Sequence, residues 1–353
     1  MFNFDLGLIS KYRSNIMGIA TIMILCCHAV GRNVTMPSEM LKILNFGNYG
    51  VDIFLFVSGM GQYYSLLKKT EIDGSGGQGV VGGGGWYKSW YINKLQRILV
   101  PYFIVFVPYY SFICMIHHYG ILFFLVNVST LGFWLYHEGA WFVALLIPLY
   151  LITPFIYSLF QRLHRINSKF ISWFLFILLC SAISLCGYFD SSSDLFNNFI
   201  FAFRRVPSFL LGLWLGPTIK IGAKIRFIIL LLMLLLAVFI TKVSHNHIAI
   251  MWLLVLPIIT LFIMFFSYRN FIISRLFNKI TLFFGKISLE SYLTNITVPI
   301  FISWAIILLD IEHFNKGNYL MYGISLIVGI CLSCGVNSLA ALINTKLQEA
   351  YRR

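Results

Sequence analysis

The sequence predicts an all-α, polytopic membrane protein with about ten transmembrane helices and with both termini in the cytoplasm. Composition is the first reason: 59% of the 353 residues are hydrophobic and 11% are charged, whereas soluble domains carry about 25% charged residues. Mean hydropathy is correspondingly high, at +0.85. The third reason is that basic residues concentrate in alternate loops. These observations exclude a soluble enzyme, a disordered chain and a disulfide scaffold.

Each predicted span is a mostly apolar stretch close to the length of about 20 residues that crosses a bilayer as a helix. Polar segments separate the fourth through the eighth of these predicted spans. The spans are 14–32, 50–67, 97–117, 141–160, 170–187, 202–218, 226–242, 247–267, 284–308 and 319–343. Two further stretches are excluded from this count. Residues 120–137 contain polar side chains and are expected to be re-entrant or interfacial, and the cation-bearing stretch 268–282 is expected to lie in the interface.

Loop charge supports the count of ten. With a cytoplasmic N-terminus, twenty of the 26 Lys and Arg residues fall in inner segments and six in outer segments. Cytoplasmic loops carry this excess in membrane proteins, and one missed span would reverse every later loop. The net charge of +14 is therefore interpreted as loop anchoring and contact with anionic lipid, rather than as nucleic-acid binding.

The chain is interpreted as one transmembrane domain over residues 1–353, with no C-terminal extracytoplasmic domain. The glycine-rich tract 74–85 predicts a flexible cytoplasmic linker. It contains a formal dinucleotide pattern, Gly77-x-Gly79-x-x-Gly82, but lacks the strand and helix that such a site requires. The seven cysteines lie in apolar stretches and are interpreted as buried thiols. No metal site is predicted.

Ionisable residues within spans are the candidates for chemistry, because each is costly to bury in lipid. His28 lies about 22 Å along the first helix from Arg13, in its outer half. A neutral imidazole there can act as general base for a hydroxyl, or simply hydrogen-bond a neighbouring helix. Asp52, near the outer end of the second span, can orient that histidine or cap the helix that begins there.

The remaining charged candidates on or near the spans are also ambiguous. Lys94 and Arg97 share a helix face at the cytoplasmic mouth of the third span, where they can bind phosphates or anchor the helix end. Glu138 and Glu290 are acidic residues at or within spans. For Glu290, stabilisation by the helix dipole is a sufficient explanation.

Arg204 and Arg205 stand out because they fall on the less basic, outer side. Two interpretations are open for them. They can meet an anionic acceptor or its lipid diphosphate, or they can pair with the nearby Asp190 and Asp194.

Six segments stand out in order along most of the chain. They are the first span with His28 near its end, GVDIFLFVSGM (50–60), INKLQRILVPYF (92–103), WFVALLIPLYLITP (141–154), FLLGLWLG (209–216) and GKISLESYL (285–293). Each segment is weak alone, but the six in this order are fairly specific. Together they resemble the membrane-bound acyltransferase-3 family, integral membrane enzymes that move acyl groups, usually acetyl, onto extracytoplasmic sugars.

The resemblance implies roles for several residues. His28 falls where the family has its essential first-span histidine. Lys94 and Arg97 fall in a basic element that faces the acyl-CoA donor, and Trp141 opens a W…Y…P element whose spacing is kept. The family reaction places the donor on the cytoplasmic side, the histidine deep in the bundle and the acceptor hydroxyl outside.

The sequence also departs from the family pattern. Met17 stands where the family has Arg or Lys, and Arg13, one turn earlier on the same face, is the candidate replacement. Leu146 stands where many members carry a glutamate. Thr294 and Asn295 follow the SxxxYL segment, where a histidine is often found.

The resemblance, taken with the few ionisable residues in the spans, implies an O-acetyltransferase of the inner membrane. It would move an acetyl group from cytoplasmic acetyl-CoA to a hydroxyl of an extracytoplasmic glycan or lipid-linked sugar, such as an O-antigen, capsule or exopolysaccharide. Acetyl-CoA is expected as a co-substrate, with no bound cofactor. The alternatives are a transporter or flippase for an anionic lipid-linked precursor, and an inactive family member that serves as a partner subunit. The sequence does not indicate an oligomeric state.

Overall fold

The computed structural model describes residues 3–32, 34–73, 85–189, 191–244, 250–267, 272–308 and 319–352. Nearly all of them are helical. The helices are α1 Gly7–Lys11, α2 Arg13–Gly31, α3 Ser38–Asn45, α4 Tyr49–Asp73, α5 Gly85–His117, α6 Ile121–Val128, α7 Leu131–Tyr136, α8 Trp141–His164, α9 Lys169–Cys186, α10 Asp194–Phe203, α11 Val206–Lys220, α12 Phe227–Ser244, α13 Met251–Ser267, α14 Ile272–Lys286, α15 Ser288–Leu308 and α16 Tyr319–Arg352. A 3₁₀ turn, Phe46–Asn48, joins α3 to α4. Two short strands, β1 Asn3–Asp5 and β2 Lys224–Arg226, pair antiparallel.

The helices confirm an all-α polytopic membrane protein. Within the described ranges, seven helical stretches are long and apolar enough to cross a membrane. They are Arg13–Gly31, Ser38–Lys68, Lys88–His117, Trp141–His164, Lys169–Cys186, Asp194–Lys220 and Tyr319–Ala350. Two shorter apolar helices, Phe227–Val243 and Met251–Ser267, coincide with the seventh and eighth predicted spans. The 21-residue α15 coincides with the ninth. The count of ten and the cytoplasmic termini remain predictions.

The two stretches excluded from the predicted spans have the local structure of short or amphipathic segments. Residues 120–137 form α6 and α7 rather than one long helix, with left-handed backbone at Thr130 (φ 69°) and His137 (φ 58°). Helix α14 covers most of the predicted interfacial segment, with Arg275 and Lys279 exposed. Residues 74–84 of the glycine-rich tract and 268–271 of that segment lie outside the described residues.

The chain divides into two compact units. The first unit comprises Met1–Ile16, Val51–Tyr91 and Leu145–Lys279. Its core includes Trp214, whose ring stacks on Phe176 with centroids 4.7 Å apart. Helices α4 and α11 cross there at two glycines: a Cβ on Gly59 would overlap the carbonyl oxygen of Phe209, and a Cβ on Gly212 would overlap that of Phe56. Small residues allow this backbone approach between membrane helices.

The second unit comprises Met17–Gly50, Ile92–Ala144 and Ile280–Arg353. Helices α15 and α16 pack along each other within it. Thr294 donates a 3.1 Å hydrogen bond to the carbonyl of Gly329 and lies 2.8 Å from the hydroxyl of Ser333. Such hydroxyl contacts across membrane helices satisfy polar groups that lipid cannot. This packing fixes the position of the next residue, Asn295.

Candidate active site

His28 lies near the C-terminal end of α2, in the second unit, and belongs to a chain of hydrogen bonds. Its Nδ1 makes a short hydrogen bond with Oδ1 of Asn295 in α15. The Nδ2 of Asn295 donates to the hydroxyl of Tyr322 in α16 at 3.5 Å. That hydroxyl donates in turn to the backbone carbonyl of Leu25 at 2.6 Å. This series of hydrogen bonds begins and ends on α2 and connects that helix to α15 and α16.

The direction of each hydrogen bond assigns the histidine tautomer. The Leu25 carbonyl can only accept, so the Tyr322 hydroxyl gives it the proton and accepts from Asn295. This orients the amide of Asn295 with Oδ1, an acceptor, toward the imidazole. Nδ1 of His28 must then carry the hydrogen. Nε2 is left with a free lone pair, which is the form that a general base requires.

Sequence reasoning selected His28 but not its partners. Asn295 entered only as a departure from a family pattern, although its signal was present: it is an amide in an apolar span, and a buried amide needs a hydrogen-bonding partner. Asn295 is in fact 3% exposed. Tyr322 carried no comparable signal, because tyrosine is common in membrane helices at either end of a span.

Aromatic residues and the start of α8 border the histidine. The ring of Tyr292 lies 6.1 Å from that of His28, and its hydroxyl accepts a 3.3 Å hydrogen bond from the backbone N–H of Phe142. Trp141, the first residue of α8, meets the Phe142 ring edge-on at 6.2 Å. Glu138 is exposed in the loop just before α8. The W…Y…P element therefore begins close to His28.

Asp52 belongs to the first unit, where it forms a buried ion pair with Arg205. Each of the two side chains is 1% exposed. The second carboxylate oxygen of Asp52 accepts a 2.6 Å hydrogen bond from Ser208. Nη1 of Arg205 also lies 3.0 Å from the sulfur of Met251. Both carboxylate oxygens are thus occupied by residues of α11 and its N-terminal flank.

This ion pair corrects the expected partner of Arg205 and shows what the side chain of Asp52 binds. The pairing of Arg205 with Asp190 or Asp194 is wrong where it can be examined, because the partner is Asp52 and Asp194 is exposed. Asp190 itself lies outside the described residues. Asp52 does lie in the first turn of α4, as the capping alternative requires, but its side chain is bound by Arg205 and Ser208.

Arg204, the neighbouring arginine, has different surroundings. Its guanidinium lies 4.9 Å from the centre of the Phe201 ring, at a distance typical of a cation–π contact. Its buried Nε has no hydrogen-bond partner among the described residues. The two adjacent arginines therefore differ: Arg205 neutralises a carboxylate, whereas Arg204 rests on an aromatic face.

The three predicted donor-binding cations are divided between the units. Arg13 is exposed in the first unit. Its guanidinium lies against Gly61 of α4, since a Cβ added to that glycine would be 2.7 Å from Nη2. In the second unit, Lys94 is half-buried and Arg97 is exposed on α5. Glu290, in the first turn of α15, lies within electrostatic reach of Arg97.

The fold and the histidine network define a polytopic membrane protein that can offer a neutral base within its helices. The sequence model of the acyltransferase domain family known as acyltransferase-3 matches residues 16–338. The chain therefore belongs to the acyltransferase-3 family, and it is a membrane acyltransferase. Comparisons with curated proteins and with solved structures give no match.

Proposed function

We propose that this membrane acyltransferase is an O-acetyltransferase with acetyl-CoA as donor and a hydroxyl of an extracytoplasmic glycan or lipid-linked sugar as acceptor. The observation that carries the proposal is the hydrogen-bond series from His28 through Asn295 and Tyr322 to the Leu25 carbonyl, from which we assign the tautomer of His28. Its Nδ1 is held as a donor by Asn295, so Nε2 is free to remove a proton from a sugar hydroxyl. Asn295, rather than Asp52, is proposed as the residue that orients the base.

The proposed reaction begins as Nε2 takes the hydroxyl proton of the sugar. The oxygen attacks the thioester carbonyl of the donor, a C–O bond forms, and the C–S bond breaks. The proton held on His28 then passes to the departing thiolate of CoA. The imidazolium that forms in between is stabilised through its Nδ1–H bond to Asn295, as the third member of a nucleophile–base–orienter triad stabilises its histidine.

The donor's phosphates require cations, and those of the basic element supply them in this proposal. Lys94 and Arg97 lie three residues apart on one face of α5, so their side chains point the same way. Arg13 is the third proposed member, in place of the basic residue absent at Met17. The inner membrane is the proposed location, because acetyl-CoA is cytoplasmic and the acceptor lies outside.

The test is acetyl-CoA turnover by the purified protein, followed as free CoA, together with mass spectrometry of envelope glycans from cells with and without the gene. The intact protein is expected to release CoA and to add 42 Da, the mass of one acetyl substitution calculated from its formula, to a glycan. His28→Ala is expected to lower turnover by about 10²- to 10⁴-fold, the contribution of general-base catalysis.

A matched histidine supplies the control. His118 is exposed and has a left-handed backbone (φ 54°), which asparagine tolerates, so His118→Asn is expected to retain full turnover. Full glycan acetylation by His28→Ala would refute the proposed base. A different mass increment would correct the donor, and loss of glycan export with acetylation intact would favour a flippase instead.

A further inference from the structure

A cavity of about 510 Å³ lies within the second unit, at the ends of α2 and α15 and the beginning of α16. This volume is within the range of small-molecule sites. Among the described residues, its lining contains a cation, Arg32, together with aromatic and hydroxyl side chains, and no carboxylate. The residues that matter for its chemistry are Arg32, His117, Ser303, Trp304, Tyr322 and Ser325.

Arg32 is half-buried, and its guanidinium is anchored by one hydrogen bond. Nη2 donates to the backbone carbonyl of Ile296 at 2.8 Å, which is neutral. Across the ranges that the structure describes, no Asp or Glu side chain forms an ion pair with it. A guanidinium has five N–H donors and is always charged. A partly buried cation that no described carboxylate pairs with is therefore stabilised by an anionic group placed in the cavity beside it.

The rest of the lining suits a sugar ring. Trp304 offers a flat apolar face, and His117 packs edge-on against it with centroids 5.7 Å apart. The hydroxyls of Ser303 and Ser325 each donate back to their own helix, to the carbonyls of Pro299 and Met321. Their oxygens are left to accept hydrogen bonds, so they match a ligand that carries several hydroxyls.

The cavity and the histidine network share one residue, Tyr322. Arg32 lies four residues after His28, so the two lie on the same side of the chain as it leaves α2. Tyr322 lines the cavity and is also the residue to which Asn295 donates. The backbone of the cavity's cation is therefore about one helical turn from that of the proposed base.

We infer that this cavity is the acceptor subsite and that it takes an acidic sugar, one whose carboxylate or phosphate is bound by Arg32 while its ring lies against Trp304. The inference rests on the proposed O-acetyltransferase function and names the class of its acceptor. The pairing of an anion with Arg32 sets specificity, and His28 acts on a neighbouring hydroxyl.

The test compares methyl glucuronoside with methyl glucoside as acceptors for the purified protein. The acidic glycoside is expected to have a KM at least tenfold lower. Arg32→Gln is expected to raise the KM for the acidic glycoside to that of the neutral one without changing the KM of the latter, while Arg32→Lys keeps part of the preference. Lys42→Gln, which removes an exposed cation paired with Glu39, is the control and is expected to leave both values unchanged.

Binding measured by calorimetry on His28→Asn separates this inference from the proposed function. If the acidic glycoside binds in an Arg32-dependent manner but the wild-type protein acetylates nothing, the subsite stands and the acetyltransferase proposal falls. Equal KM values for the two glycosides in the wild-type protein would overturn the subsite. So would an Arg32→Gln variant that raises both KM values by the same factor. Displacement of the glycoside by anionic lipid in nanodiscs, but not by inorganic phosphate, would assign Arg32 to a lipid headgroup and overturn it too.

Discussion

At the scale of single residues, the candidate site depends on which imidazole nitrogen carries the proton. Asn295 can only present an acceptor to Nδ1 because Tyr322 and the Leu25 carbonyl fix the opposite end of its amide. In the proposed mechanism, this amide orients the imidazole as an aspartate does in a serine hydrolase. It does so without adding a charge, which would be costly within a membrane.

The tautomer assignment makes a specific prediction for Asn295. Asn295→Leu keeps the approximate size of the side chain but removes the acceptor. It is therefore expected to lower kcat by about a hundredfold with little change in KM. This loss is smaller than that caused by replacing the orienting aspartate of a serine protease with an amide. Asn295→Asp keeps an acceptor at the same position and is expected to retain more activity than Asn295→Leu. Steady-state kinetics of acetyl transfer provide the measurement, and equal activity of the two variants would contradict the assignment.

Asp52 and Arg205 show how far a residue-level prediction could go from sequence. The sequence marked both as unusual charges on or near predicted spans, and both side chains are buried. It could not pair them, because 153 residues separate them along the chain and only tertiary packing brings α4 and the N-terminal flank of α11 together. The nearer carboxylates, Asp190 and Asp194, were the natural candidates from proximity in sequence alone.

The buried pair predicts an asymmetry in stability. Asp52→Leu alone leaves Arg205 buried and uncompensated, at an expected cost of about 3–5 kcal/mol. The double variant Asp52→Leu, Arg205→Met removes both charges and is expected to recover most of that loss. Unfolding in detergent micelles measures both. If the double variant is as unstable as the single one, the ion pair contributes more to stability than the mutual neutralisation of two buried charges.

At the scale of elements, hydropathy located most helices but misjudged where several begin and end. The third span was predicted from residue 97, whereas α5 already begins at Gly85. The reason is that hydropathy detects the part of a helix that lies in lipid, and the basic residues from Lys88 to Arg97 continue the same helix beyond it. The three-residue strands β1 and β2 are too short to show an alternating pattern and were not predicted.

Helix packing in the first unit predicts a contrast between two glycines. Gly212→Val would place a branched side chain against the carbonyl of Phe56, so a loss of about 1–3 kcal/mol is expected from overpacking. A Cβ added to Gly335 in α16 would meet no atom within 4 Å, so Gly335→Ala is expected to stabilise its helix by up to about 1 kcal/mol. Thermal unfolding in detergent distinguishes the two, and a neutral Gly212→Val would contradict close α4–α11 packing.

At the scale of the whole molecule, the loop charges and the helices give independent views of topology. Seven helical stretches in the described ranges meet the length and hydropathy required of a span. The three predicted spans that do not are occupied by α12, α13 and α15. The two shorter apolar stretches among them have 17 residues, or about 25 Å of helix, somewhat less than the hydrocarbon thickness of about 30 Å. How many of α12, α13 and α15 cross, in an even or an odd total, decides on which side the C-terminus lies.

An even count of ten places both termini in the cytoplasm, whereas seven crossings would place them on opposite sides. With ten spans, Lys11→Cys and Lys346→Cys are expected to react with a membrane-impermeant thiol reagent only after the cells are opened, while Lys42→Cys reacts in intact cells. The substitutions are made in a cysteine-free background that retains acetyl transfer. Labelling of Lys346→Cys in intact cells, with Lys11→Cys protected, would establish an odd number of crossings and would overturn the count of ten. The cations proposed to hold the donor precede α12, α13 and α15, so their predicted inner location would stand.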